Sequence, residues 1–214
     1  MLAIAGGKGG CGKTTTTLRL ATDLARRGRD VLAVDADRDM PDLHALAGVP
    51  NDPTVAELAS DDDPDSGVAS VARPVPDHPG VAVLPAAPGV GHRELRRVLR
   101  RLEPTHRATL VDCPSGTGLA AVDPIRVAEG VLVVTTPSPA SLRDATKTAA
   151  IARAVGTPVV CVAVTRTDAA PPGIERAMGA PAVALSNRDF ESPFFPDSAG
   201  STPESRTREV EGIV

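Results

Sequence analysis

Gly7 to Thr14 (GKGGCGKT) fit the phosphate-loop spacing G-x-x-x-x-G-K-[ST] in a single register. Two of the chain's three lysines, Lys8 and Lys13, fall within those residues, while the other twenty cationic side chains are arginines. A compact ammonium fits among glycine N–H groups that surround an anion, where a forked guanidinium would not. In such a loop Lys13 reaches the outer phosphates of a nucleotide, and the Thr14 hydroxyl is a magnesium ligand. Gly7, Lys8, Gly9, Gly10, Cys11, Gly12 and Thr15 make up the rest of the nucleotide cradle.

A second spacing overlaps the first. Gly7, Gly9 and Gly12 also spell G-x-G-x-x-G, and Asp35 follows at about the distance of the ribose-binding acid of a dinucleotide fold. The two readings share a strand, a loop and a helix, and part at Lys13-Thr14, which only the phosphate loop requires. Three aspartates complete the constellation. Asp112 closes the apolar run TLVD, where a P-loop enzyme keeps the acid that holds magnesium through water; Asp35 and Asp37 close another such run. A lone strand-end aspartate is commonly a turn former. Three that meet a phosphate loop point to metal and water chemistry.

These residues need a scaffold that brings strand ends together. Leu2 to Ala5 is a buried strand, and Thr14 to Arg27 is a helix with Leu18, Ala21 and Ala25 at helical spacing and Gly28 to end it. Val31 to Val34, Val81 to Leu84, Thr109 to Asp112, Val131 to Thr135 and Pro158 to Val164 read as further strands. Ser138 caps a helix with Pro139 at its first position, a stripe of Leu142, Ala145, Ala149, Ala152 and Val155, and Gly156 as its stop. A short helix is expected between Thr54 and Ala59, and Arg93 to Leu102 is an amphipathic one. Its Leu95, Val98, Leu99 and Leu102 share one side, and Arg93, Arg96, Arg97, Arg100 and Arg101 share the other. That basic side is a solvated face or a ridge for phosphate or for an acidic partner.

Strands alternating with helices predict an α/β fold, doubly wound, with a mostly parallel sheet, helices on both faces and ligands at the carboxyl ends of the strands. The expected division is one domain over 1–185 and an irregular tail over 186–214. A chain of 214 residues with net charge −4 and 42% hydrophobic residues has room for one full core and shows no bias toward nucleic acid or membrane. No stretch reaches transmembrane length, so a cytoplasmic location is expected. Cys11, Cys113 and Cys161 are odd in number and widely spaced, which fits reduced, buried thiols better than disulfides or a metal site.

KGGCGKTT (8–15), DAD (35–37), DCPSG (112–116) and TTPSPASLRDA (135–145) together resemble the MinD/ParA family of P-loop ATPases, the SIMIBI-type group with a deviant Walker A motif. The likeness is nearest to the MinD-like branch, through PDLH (41–44), LPAAP (84–88) and the helix that carries Asp144, and it covers Met1 to about Thr167. The resemblance implies an ATP- and Mg2+-dependent homodimer that hydrolyses ATP slowly and on stimulation by a protein partner, to place a division site, partition DNA or position cargo. It implies that Lys8 reaches the partner subunit's phosphates and that Asp37, in switch I, orients the attacking water. The resemblance also implies that Asp35, Asp112 and Thr14 support magnesium and that 112–116 corresponds to switch II. Two departures stand out. Where the family has Asn for adenine, Thr165 and Arg166 occur, and where it has I-P-[ED], the chain reads Ala184-Leu185-Ser186-Asn187. The terminal REVEGIV is too short and acidic for a membrane-targeting helix. Nucleic-acid binding is not favoured. A regulatory nucleotide-binding module with little hydrolysis is the alternative, and an iron–sulfur carrier lacks a suitable cysteine pair.

Overall fold

The computed structural model describes residues 1–60, 67–102 and 108–186. The acidic run from Asp61 and nearly all of the expected tail, with its three phenylalanines, lie outside them.

The apolar runs form strands as read, each flanked by helices or loops. The first half of the chain contains β1 (Leu2–Ala5), α1 (Lys13–Arg26), β2 (Val31–Asp35), α2 (Leu43–Leu46), α3 (Val55–Ser60), α4 (Val68–Val71), β3 (Arg73–Pro74) and β4 (Val81–Leu84). It is followed by α5 (His92–Leu102), β5 (Ala108–Asp112), α6 (Leu119–Val127), β6 (Gly130–Thr135), α7 (Pro139–Ala154), β7 (Val159–Thr165), α8 (Ile174–Met178) and β8 (Ala182–Leu185). The eight strands form one sheet in the order β3-β4-β2-β5-β1-β6-β7-β8, parallel except for the short β3–β4 pair.

Alternation along β1 divides the core into two layers. Leu2 and Ile4 join Leu20 and Leu24 of α1 on one face, and Ala3 and Ala5 join Leu95 and Leu99 of α5 and Ala145 and Ala149 of α7 on the other. With both faces covered, each wholly buried leucine contributes about 2 kcal/mol of transfer free energy. The Ser138 hydroxyl accepts the Ser141 N–H and caps α7, with Pro139 in its first turn. Thr54 and Glu57 form a reciprocal cap on α3: the Thr54 hydroxyl accepts the Ala56 N–H, and the Glu57 carboxylate accepts the Thr54 N–H at 2.7 Å.

The buried side of α5 is the one its period predicts. Its basic side is not one free ridge. Arg96 pairs with Asp123 of α6 at 3.5 Å and Arg101 donates to the Leu58 carbonyl at 3.1 Å, leaving Arg93, Arg97 and Arg100 as the exposed row.

Candidate active site

Register places the two strand-end acids. β2 and β5 pair in parallel with Asp35 opposite Asp112, and β1, beside β5, delivers the phosphate loop between them and β6. The loop's first glycines are pressed onto the scaffold. A Cβ on Gly6 would sit 2.7 Å from the Val134 carbonyl oxygen, and one on Gly7 would sit 2.5 Å from the carbonyl oxygen of Asp144 in α7. Backbone cannot yield as a side chain can, so Gly7→Ala is expected to cost about 1–3 kcal/mol by overpacking. Gly118→Ala, which meets nothing within 4 Å, should shift stability by less than about 0.5 kcal/mol. Urea melts of the two variants check this, and equal midpoints would contradict the close approach.

The segment after β7 grips the loop from the other side. The Thr165 hydroxyl lies 2.7 Å from the Cys11 carbonyl and 3.1 Å from that of Thr135, and Arg166 Nη2 donates to the Gly10 carbonyl at 2.5 Å. Arg166 takes φ of 61°, alone among the described non-glycine residues in being left-handed. A trans peptide points its N–H opposite its C=O, so anchoring these two carbonyls also orients the N–H groups of Cys11 and Gly12.

Lys13 opens α1, is nearly buried, and donates from Nζ to the Ser115 hydroxyl in the loop after β5 at 2.7 Å. The Thr14 hydroxyl donates to Asp42 at 3.0 Å, and the Thr17 hydroxyl, which donates to the Lys13 carbonyl, also lies 3.4 Å from Asp112. Asp35 accepts the Asp37 N–H on one oxygen at 2.9 Å and the Leu43 N–H on the other at 3.2 Å, fastening both ends of the loop between them. The Asp37 carboxylate accepts the Met40 N–H at 3.1 Å. A cleft of about 270 Å³ lies over these groups, lined by Gly9, Gly10, Gly12, Lys13, Thr14, Thr15, Asp37, Met40, Asp42, Ser115 and Arg166.

Burial pushes both Asp35 and Asp112 up to about 7. Backbone N–H groups oppose the rise at Asp35, and the Thr14 hydroxyl and the Lys13 ammonium oppose it at Asp112. Paired buried carboxylates that far above the usual range are short of positive charge, and with the Thr14 hydroxyl they offer hard oxygen ligands. The set suits Mg2+, which takes one or two carboxylates and completes its shell with phosphate and water. Among the described residues no cluster of three His, Cys, Asp or Glu side chains forms a site for an ion by itself.

Raised acids also fix a pH response. Without metal or nucleotide, the folded protein keeps these protons to about pH 7, whereas the unfolded chain releases them near 3.8. The folded state therefore binds more protons in that window, and the contribution of these acids to stability falls as pH rises from about 4 to about 7, then levels off. Urea melts across that range should show a shallower decline in Asp35→Asn. An identical slope in parent and variant would contradict the assignment.

Lys8 is exposed and does not line its own cleft; its charge acts instead on Asp144, whose carboxylate is held below the ordinary range first by its hydrogen bond to Lys147. All three cysteines are buried and free. Burial raises the Cys11 and Cys113 thiols, which keeps them protonated and unreactive. Sequence reasoning left Asp42 and Ser115 out of the candidate set. Both lay inside segments it had singled out, but no spacing rule ranks one acid or hydroxyl of a loop above its neighbours.

Residues 2–179 match the model of the CobQ/CobB/MinD/ParA nucleotide binding domain. An uncharacterized ATP-binding protein of Methanocaldococcus jannaschii is 34% identical over 176 residues, covering 78% of this chain. The chain spans 64% of that relative's length. The Pyrococcus furiosus cell division ATPase MinD has a similar structure, with a TM-score of 0.77 at 27% identity over 99% of this chain and 97% of that one. The septum site-determining protein MinD of Pyrococcus horikoshii, solved in complex with Mg-ADP, gives 0.76 at 27% identity over 99% and 85%. With the P-loop and its strand-end acids set on the same mostly parallel sheet, a match across residues 2–179 shows that the chain belongs to the CobQ/CobB/MinD/ParA nucleotide-binding family.

Proposed function

We propose that the chain is an ATPase switch: it binds ATP with Mg2+, dimerises on it, hydrolyses it slowly and thereby recruits or positions a protein partner. The observation that carries this reading is that the loops after β2 and β5, which this reading takes as the two switches, both touch the phosphate loop, through Thr14 to Asp42 at 3.0 Å and through Lys13 to Ser115 at 2.7 Å. A phosphate that displaces either bond alters both the cradle and a switch loop.

In this mechanism the Lys13 ammonium neutralises charge on the β- and γ-phosphates, and the Asp37 carboxylate orients the attacking water. Thr14 and Asp112 would hold the metal, with Asp35 behind them; when bound, it supplies charge neutralisation at the phosphates. Lys8, outside its own cleft, acts on the partner subunit's phosphates. The working compartment is the cytoplasm, and no described helix is long and apolar enough to cross a membrane. Nucleic acid is not favoured as the working surface, because two of the five arginines on α5 are engaged within the fold.

A second reading, a regulatory module that binds nucleotide and barely turns it over, is favoured by Thr165 and Arg166, which grip the loop where the family carries a base-reading Asn. Phosphate release measured beside ATP affinity and light scattering separates the two. The switch predicts slow release and an ATP-dependent dimer, both weakened more than monomer affinity in Lys8→Ala. A mixture of Lys8→Ala and Asp37→Ala chains should recover about half the parental rate per heterodimer, because the Lys8→Ala subunit keeps its own Asp37 and receives an intact Lys8 from its partner. A mixture that stays inactive would place Lys8 in its own subunit's site.

A further inference from the structure

Arg38 follows Asp37 directly and is tied away from the cleft. Its Nη1 donates to the Val90 carbonyl, and its Nη2 lies 3.2 Å from Nδ1 and 3.3 Å from Nε2 of His92, at the start of α5. His92 Nδ1 in turn lies 3.7 Å from Asp123, a nearly buried carboxylate of α6 that also faces Arg96 at 3.5 Å and Arg126 at 3.9 Å. α6 is the helix that follows the Asp112–Gly116 loop. A line of side chains thus joins the switch I loop, across the first turn of α5, to the helix that hangs from switch II.

We propose that Arg38 is a positioning residue: held by His92, and through it by Asp123, it sets the 36–42 loop so that Asp37 faces the cleft. The proposal rests on the hydrolytic reading above. Asp35 fastens the ends of this loop from within, through the N–H groups of Asp37 and Leu43. The Asp37 carboxylate accepts the Met40 N–H, inside the same loop, and that bond cannot fix the loop against the sheet. Arg38 supplies the outer attachment. A misplacement of about 1 Å in a water-orienting group costs on the order of 100-fold in rate, so the attachment governs turnover and leaves nucleotide affinity alone. Asp123 contributes by holding the imidazole: its carboxylate faces the ring on one oxygen and the two arginines on the other.

The test uses the full chain. Arg38→Ala and His92→Ala should each lower kcat for ATP about 10-fold with the ATP Kd within about 2-fold, a split that general loss of structure would not give. The double variant should be no slower than the slower single one, since both remove the same link. His92→Gln, which offers an amide oxygen in place of the ring nitrogen as acceptor for the guanidinium, should recover most of the rate. Hydrogen exchange gives a readout that needs no turnover: the amides of 37–43 should exchange faster in both alanine variants. Unchanged kcat and exchange in Arg38→Ala, additive losses in the double variant, or a Kd that rises as far as kcat falls would each overturn the proposal. Absence of phosphate release by the parent would instead sink the hydrolytic reading, and loop exchange would still decide whether Arg38 is the anchor.

Discussion

Lys13→Ala is expected to weaken ATP binding by about 100-fold or more. The triphosphate brings several negative charges into a cleft that Asp37 and Asp42 already line, and Lys13 is the nearly buried ammonium within it. A charge pair about 4 Å apart is worth roughly 4 kcal/mol in partly screened surroundings, against about 1 kcal/mol in water, so its loss is not repaired by solvent. Nor can a neighbour step in. Arg166 is engaged with the Gly10 carbonyl, and Lys8 does not line the cleft. The fold should survive, since Ser115 loses a single partner at a partly open site. Titration of a fluorescent ATP analogue with far-UV circular dichroism as control checks this, and an affinity within a few-fold of the parent would sink the phosphate-loop assignment.

Asp37→Ala should do the opposite: ATP affinity stays within about 3-fold while phosphate release slows by about 100-fold, the usual worth of one positioned acid–base group. Asp37 lines the cleft, and its carboxylate bonds only locally, to Met40, among the described residues. Truncating it removes the water's partner and leaves the cradle untouched. The variant should accumulate as an ATP-bound dimer, visible by light scattering. Unchanged release would move the role to Asp42, which also lines the cleft, and not to Asp35, whose two oxygens are both taken by backbone N–H groups.

Where one physical signal dominates, the fold is legible in the sequence. β1, β2, β4, β5, β6 and β7 are apolar runs buried on both faces, and α1, α5 and α7 carry a clear period with stops or caps, so each appears within a residue or two of its reading. α6 escaped because Pro124 lies inside it and its apolar residues show little period. β8 escaped because AVAL, followed by Ser186, is a short alanine-rich run at the sheet's edge, extended by pairing with β7 and not by its own composition. The places of Lys13 and Thr14 at the start of α1 and of Asp35 and Asp112 at paired strand ends were legible, because a P-loop fixes the first spacing and apolar runs mark the strand ends. Asp42 and Ser115 bond to Thr14 and Lys13 across 28 and 102 residues, a closure no local pattern records. The basic side of α5 shows the converse. Helical spacing grouped five arginines correctly, but only the packing of α6 and α3 decides that Arg96 and Arg101 are occupied.

The place of β1 has a consequence for how the chain is made. Its partners on either side are β5 and β6, with Leu2 opposite Leu110 and Gly130, so β1 has no lateral neighbour until synthesis has passed β5. Such distant pairings are slow to form and leave unpaired strand edges open to association with other chains in the meantime. During synthesis, therefore, the glycine loop gains its shape well after it is made, and a nascent chain stalled before Gly130 would carry the whole P-loop motif without the β6 strand that flanks it.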